Sequence, residues 1–177
     1  MIAVFEKNIY FYGKHAEYIK ALTKNIEGIT QGVFFSNLEV YLVAPIIGKI
    51  YGRKATVEKG ESTSIHTEQI NRVKEQLELN YRIIMLLDEK EKVDSEMRIS
   101  RAFRYDRDEE KRKAGDEIFE EYALGGIEVL YEKVIQDAED DSAYMKNLYK
   151  FVEEFNQLYY KDIEDDNIYD LCKLAGN

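Results

Sequence analysis

Covalent catalysis needs a nucleophile with a positioned base beside it, and this sequence offers few pairs. Its histidines are His15 and His66, and its one cysteine is Cys172. His66 stands among Ser62, Thr63, Ser64 and Thr67. An activated hydroxyl is one reading of that group. The favoured one is a polar cluster capping the start of a helix, where side-chain oxygens satisfy free backbone amides. His15, in Gly13-Lys14-His15-Ala16-Glu17, opens a helical stretch after an aromatic run. It is a candidate ligand or contact residue, weighed against an interior histidine held by hydrogen bonds, which is preferred.

Metal ligation fares no better. One cysteine excludes cysteine-based zinc, and no Glu-x-x-His pair occurs for a carboxylate-bridged di-metal bundle. Asp106, Asp108, Glu110 and Glu117 mimic the spacing of a calcium loop, but the glycine such a loop needs is replaced by Lys111 and followed by two further cations. No metal and no cofactor is expected. The segment from Gly48 to Lys54 has glycines and cations without phosphate-loop spacing, and it follows an apolar helix rather than a strand. Arg53 and Lys54 are candidates for contact with a partner or phosphate, weighed against the favoured reading in which they face the negative end of that helix.

The strongest local signal is basic. Arg98, Arg101, Arg104 and Arg107 recur every third residue, and Lys111, Arg112 and Lys113 follow. On an α-helix that step carries the four arginines around about half the circumference. They are candidates for contact with phosphate or an acidic protein patch. The competing and favoured reading is a solvated helix whose arginines pair with nearby carboxylates. A third reading turns them toward the acidic end of the same chain or of a second copy. Tyrosine is abundant, at 14 residues. Tyr10, Phe11 and Tyr12, and the pair Tyr159 and Tyr160, are candidates for an interface, where tyrosine is common; core edges are equally expected.

The elements that must position these residues read as helices. Proline occurs once, at Pro45, which suits a helical chain. Gly13 precedes a helix over 14–26. Ser36 and Glu39 form a capping box ahead of a helix over 37–51 that is apolar nearly all round, as a central helix is. Pro45 inside it predicts a kink or a break, and Gly48 and Gly52 predict close approach of another backbone. Residues 52–64 are expected to be a polar loop. Ile70, Val73, Leu77, Tyr81, Ile84 and Leu87 predict one amphipathic helix over 65–88, followed by a charged turn at 88–92. Asp94 or Ser95 caps the next helix, and residues 106–113 are expected to be solvated. A helix over 116–124 should end or bend at Gly125-Gly126 and resume over 127–138. Asp141 or Ser142 should cap a helix to Tyr160, with Tyr144, Leu148, Phe151, Val152, Phe155, Leu158 and Tyr159 inward. A short helix over 167–174 closes the chain. Residues 1–12 are a strand or an irregular lead-in.

The expected fold class is therefore all-α: a single-domain bundle of about seven helices over 1–177, built around a proline-kinked helix. Charge is unevenly shared. Residues 1–115 hold 20 basic and 18 acidic side chains, and residues 116–177 hold 5 and 17, giving −10 in all. That field opposes general binding to nucleic acid or anionic membrane and leaves only a local basic surface for phosphate. A lone thiol and no secretory signal point to the cytoplasm, and no apolar run reaches the roughly 20 residues a membrane span needs. The leading expectation is a non-catalytic interaction or accessory subunit that binds a protein partner or self-associates. The alternatives are a helical component of a bacterial nucleic-acid-handling or phage-defence complex using the arginine row, and an enzyme of unknown class.

Overall fold

Two helices cross at the centre of this protein with almost nothing between them. In the computed structural model, which describes residues 3–23, 32–88 and 94–165, they are α2 (Asn37–Ile50) and α6 (Glu109–Leu130). Gly48 lies on the carbonyl of Tyr122, and Gly126 lies on the carbonyl of Ala44 and the amide of Gly48. A β-carbon at either glycine would collide with backbone. Gly125-Gly126 therefore does not end a helix, one of the two outcomes the sequence offered. The pair lies within α6, buried, and the missing side chains let α2 settle against it.

α2 begins as expected. Ser36 accepts from the Glu39 amide at 3.4 Å, while the Glu39 carboxylate reaches back to the Phe35 amide at 2.8 Å rather than to that of Ser36. The helix continues through Pro45 without breaking. Proline cannot donate to the preceding turn, and nearby the Asn80 side chain donates to the Leu42 carbonyl at 2.8 Å. The helix stops at Gly52, whose φ is +61°. There the Gly52 amide donates to Lys49 and the Arg53 amide to Gly48, the paired bonds of a glycine-terminated helix. Gly52 thus makes a turn, and a Cβ built there would meet nothing within 4 Å.

Residues Ile9–Tyr12 form β1, and Ser62–Ile65, expected as loop, form β2. They pair antiparallel with Ile9 opposite Ile65 and Tyr12 opposite Ser62. α1 (Lys14–Thr23) follows β1. The helix expected over 65–88 is two, α3 (Thr67–Arg72) and α4 (Lys74–Leu87), parted at Val73, whose φ of −125° leaves the helical range. Asp94 caps α5 (Ser95–Ile99), its carboxylate accepting from Met97 at 2.7 Å, and the chain widens into a π-helical turn over Ser100–Arg104. α6 likewise widens over Tyr131–Ile135, and α7 (Asp141–Asp165) follows. Asp140, not Asp141 or Ser142, caps it through the Ala143 amide at 2.8 Å. The described residues thus form an all-α bundle of seven helices with one two-stranded ribbon.

The core is continuous. Phe5, Tyr41, Tyr81 and Phe119 meet edge-on or tilted, Phe5 and Phe119 with ring centres 5.6 Å apart, geometry that adds to the burial of their area. On α7 only part of the expected face is covered. Tyr144 is buried and Leu148, Phe151 and Phe155 are half-buried, but Val152 is exposed, as are its neighbours Met145 and Tyr149. The final helix expected over 167–174, Cys172, and the side chains of Leu158, Tyr159 and Tyr160 lie outside the described residues.

Candidate functional site

The chemistry-bearing residues gather in two places, and of the arginine row only Arg107 lies at one of them. Arg98 donates to the Leu86 carbonyl at 3.1 Å. Arg101 is half-buried, and Arg104 pairs with Glu96 and reaches Ser100 Oγ at 3.3 Å. Arg107 lies past the π-helical turn and is exposed. The turn breaks the angular step on which a single arginine face depended. Arg112, expected in a solvated stretch, is buried, donating to Asp116 at 2.9 Å and to the Asp106 carbonyl at 3.1 Å. The calcium-like spacing is taken up by α6 itself, whose first turn Asp108 caps through the Lys111 amide at 3.1 Å. Among the described residues no cluster of histidine, cysteine and carboxylate side chains is placed to hold a metal.

The first gathering is a buried carboxylate. Glu128, on α6, accepts from His15 Nε2 at 3.1 Å, from Lys14 Nζ at 3.1 Å and from Arg53 Nη1 at 3.4 Å. Arg53 also reaches Glu132 at 3.1 Å, and Lys14 reaches Glu58 at 3.0 Å. Lys54, beside it, bonds Glu121 at 3.2 Å and stands 4.7 Å over the Tyr122 ring. Arg53 and Lys54, expected to face the end of α2, instead clamp the 53–55 strand of chain onto α6. Gly125 leaves room for the Arg53 carbonyl there, and the Ala55 amide donates to Glu121. Burial pushes the His15 ring below the ordinary histidine value, overcoming the raising effect of Glu128, and the Glu58 and Glu128 carboxylates hold the Lys14 ammonium above its own. His15 exposes no surface. A general base must come within hydrogen-bond reach of a substrate proton, so this arrangement holds α1, the 53–55 segment and α6 together. His66 is the residue ahead of α3; its amide donates to Gln69 at 3.1 Å and that of Thr67 to Asn8 at 2.9 Å, so the capping oxygens come from outside the expected cluster.

The second gathering is a groove of about 940 Å³ between β1 and the first four turns of α6. All four residues of β1 line it, with Tyr41 and Phe119 beneath and Lys113, Asp116, Glu117 and Glu120 along the facing helix. Tyr10 and Tyr12 stand at its lip, 48% and 37% exposed, with ring centres 6.3 Å apart. Desolvation, with the like charges of Glu117 and Asp116, raises the Glu120 carboxyl above its usual range; burial raises Asp116 against the pull of Arg112. The aromatic run of β1 was legible as an interface candidate. The α6 wall was not, because it forms only where the strand comes to lie along the helix.

Among the described residues no helix is long and apolar enough to cross a membrane. No curated protein and no solved structure matches the chain. One family model does match, over residues 12–166, and its description is DNA sulphur modification system-associated protein 4. That span takes in α1 to α7 and most of the groove, so this chain belongs to the DNA sulphur modification system-associated protein 4 family.

Proposed function

We propose that this protein is a non-catalytic accessory subunit that docks onto another protein of a DNA sulphur modification system through the groove between β1 and α6. The observation that carries the reading is the groove itself: an open cleft floored by aromatic side chains, lipped by two exposed tyrosines and walled by charges of both signs. Aromatic floors with polar rims suit protein partners. Most cations in the sequence-predicted sites are meanwhile engaged within the chain, and the overall charge of −10 opposes phosphate. The same reading puts the protein in the cytoplasm, with the DNA that the system modifies.

The test is co-expression with each of the other components of the system, followed by size-exclusion chromatography with light scattering. A complex should form with one component and be lost when Tyr10 and Tyr12 are both changed to Ser. A complex that survives that change and is lost in Tyr149→Ala would move the docking surface to α7. No complex with any component would end the reading.

Direct contact with DNA is a second reading with one observation in its favour. Lys7, Arg107 and Lys113 are exposed around the groove and make no ion pair among the described residues.

A further inference from the structure

The groove runs along an edge of backbone, not only of side chains. In the β1–β2 ribbon each Cα pair sums to the same register, and Gly13 continues it opposite Glu61, donating its amide to the Glu61 carbonyl at 2.9 Å. Antiparallel pairs alternate between bonded and non-bonded. Residues 9, 11 and 13 therefore turn their amides and carbonyls toward β2, and Tyr10 and Tyr12 turn theirs the other way. No described residue hydrogen-bonds to the backbone of Tyr10 or Tyr12. Side chains from both faces of β1, the buried Phe11 and the exposed Tyr10 and Tyr12, line the same cleft, which is the view of a strand seen edge-on. An uncovered edge is a template for another strand.

The opposite wall says what kind of strand. Arg107 and Lys113 stand toward the start of α6, and Glu117 and Glu120 follow about one and two turns after Lys113. Neither Glu117 nor Glu120 has an ion-pair partner among the described residues, and Asp116 beside them is the one that Arg112 holds. We propose that the groove receives an extended segment of a partner protein as a third strand on β1, with a lysine or arginine of that segment set against Glu117 and Glu120. Alternate side chains of such a segment would face the aromatic floor, so the segment alternates apolar and polar residues. Burial is the main cause that lifts the Glu120 carboxyl, and the repulsion from Glu117 and Asp116 that adds to it is what a bound cation would relieve.

This inference rests on the docking reading, and the experiment separates the two. Labelled twelve-residue peptides tiling the other components of the system, and this chain as well, are titrated with the intact protein by fluorescence anisotropy. A component segment of the stated pattern should bind. Its affinity should fall at least tenfold in the Glu117→Lys, Glu120→Lys protein, whose fold is checked by circular dichroism. Methylating the peptide's amides at alternate positions should abolish binding for the set that faces β1 and spare the other set, a readout that asks nothing of the protein's folding. Indifference to both methylated sets would overturn third-strand pairing. Binding confined to a segment of this chain would replace the partner with a second copy and overturn the proposal. If no peptide binds while an intact component still co-elutes, the groove inference fails and the docking reading stands; with no co-elution, both fail.

Discussion

His15 and Glu128 meet at 3.1 Å inside the protein, a base with no exposed surface against an acid that keeps only 7% of its own. A carboxylate only accepts, so Nε2 is the donating nitrogen. Nδ1 then has no partner among the described residues. Lys14 and Arg53 complete the arrangement from the more exposed side.

Removing the acceptor should expose how much the arrangement contributes. Glu128→Leu strands the buried His15 donor, while Lys14 keeps Glu58 and Arg53 keeps Glu132, and leaving a buried polar group unpaired costs about 1–3 kcal/mol. Arg53→Ala should cost about 1 kcal/mol or less, because its guanidinium is largely exposed. Urea unfolding of both variants checks the order. Equal losses would show that Glu128 is not the hub.

Proton binding at His15 should weaken the fold. Burial holds its pKa below the ordinary 6.5, so the unfolded chain binds that proton more readily than the native one. The contribution is complete above pH 6.5 and is lost as pH falls from there through the lower native value. Asp116 and Glu120 work in the opposite sense: their carboxyls are raised, so native protonation stabilises as pH falls through their own values. The comparison is therefore with His15→Gln, which keeps a donor and does not titrate there. The melting temperature of the parent should fall more steeply between pH 7 and 5.5 than that of the variant. Parallel curves would contradict the assignment.

At the crossing, Gly126→Ala should be among the most damaging single-carbon additions in the chain. Alanine gains about 1 kcal/mol of helix propensity, but here its methyl meets the Ala44 carbonyl, which is backbone and cannot rotate away. Overpacking of this sort costs about 1–3 kcal/mol or more. A thermal melt should drop by several degrees, and Gly48→Ala should do the same. A melt unchanged in both would mean that the helices part easily.

DNA contact is tested directly. The parent protein should give no salt-sensitive gel shift with a duplex at low ionic strength, since its net charge is −10 and Arg98 and Arg104 are engaged internally. A shift abolished by Arg107→Glu and Lys113→Glu would establish the second reading.

What the sequence made legible was local. Ser36 and Asp94 stood where helices start, because a cap needs only its next three residues. The apolar surround of α2 announced a central helix for the same reason. Gly125-Gly126 misled, since a glycine pair weakens a helix locally and only the Ala44 carbonyl, far away in sequence, shows why it is there. Val73 kept the helical spacing of Ile70 and Leu77 while its own backbone left the helix, so periodicity alone missed the break. β2 needed β1 to exist, and a strand of four residues carries little signal alone. The arginine row assumed a uniform helix, and the π-helical turn at Ser100–Arg104 denied it that. The groove is likewise non-local, since it forms only where β1 comes to lie along α6.

Three glycines on α6 have a further consequence. Gly115 faces the Tyr81 hydroxyl, Gly125 the Arg53 carbonyl and Gly126 that of Ala44. Each notch fits one neighbour, so their angular spacing around the helix is fixed in the manner of a key's cuts. An extra residue between Gly115 and Gly125 would swing one set about 100° out of alignment. Past Leu130 the rod loosens into a wider coil, yet its register is still held there by the buried Val134 and Ile135 and by the Arg53–Glu132 pair.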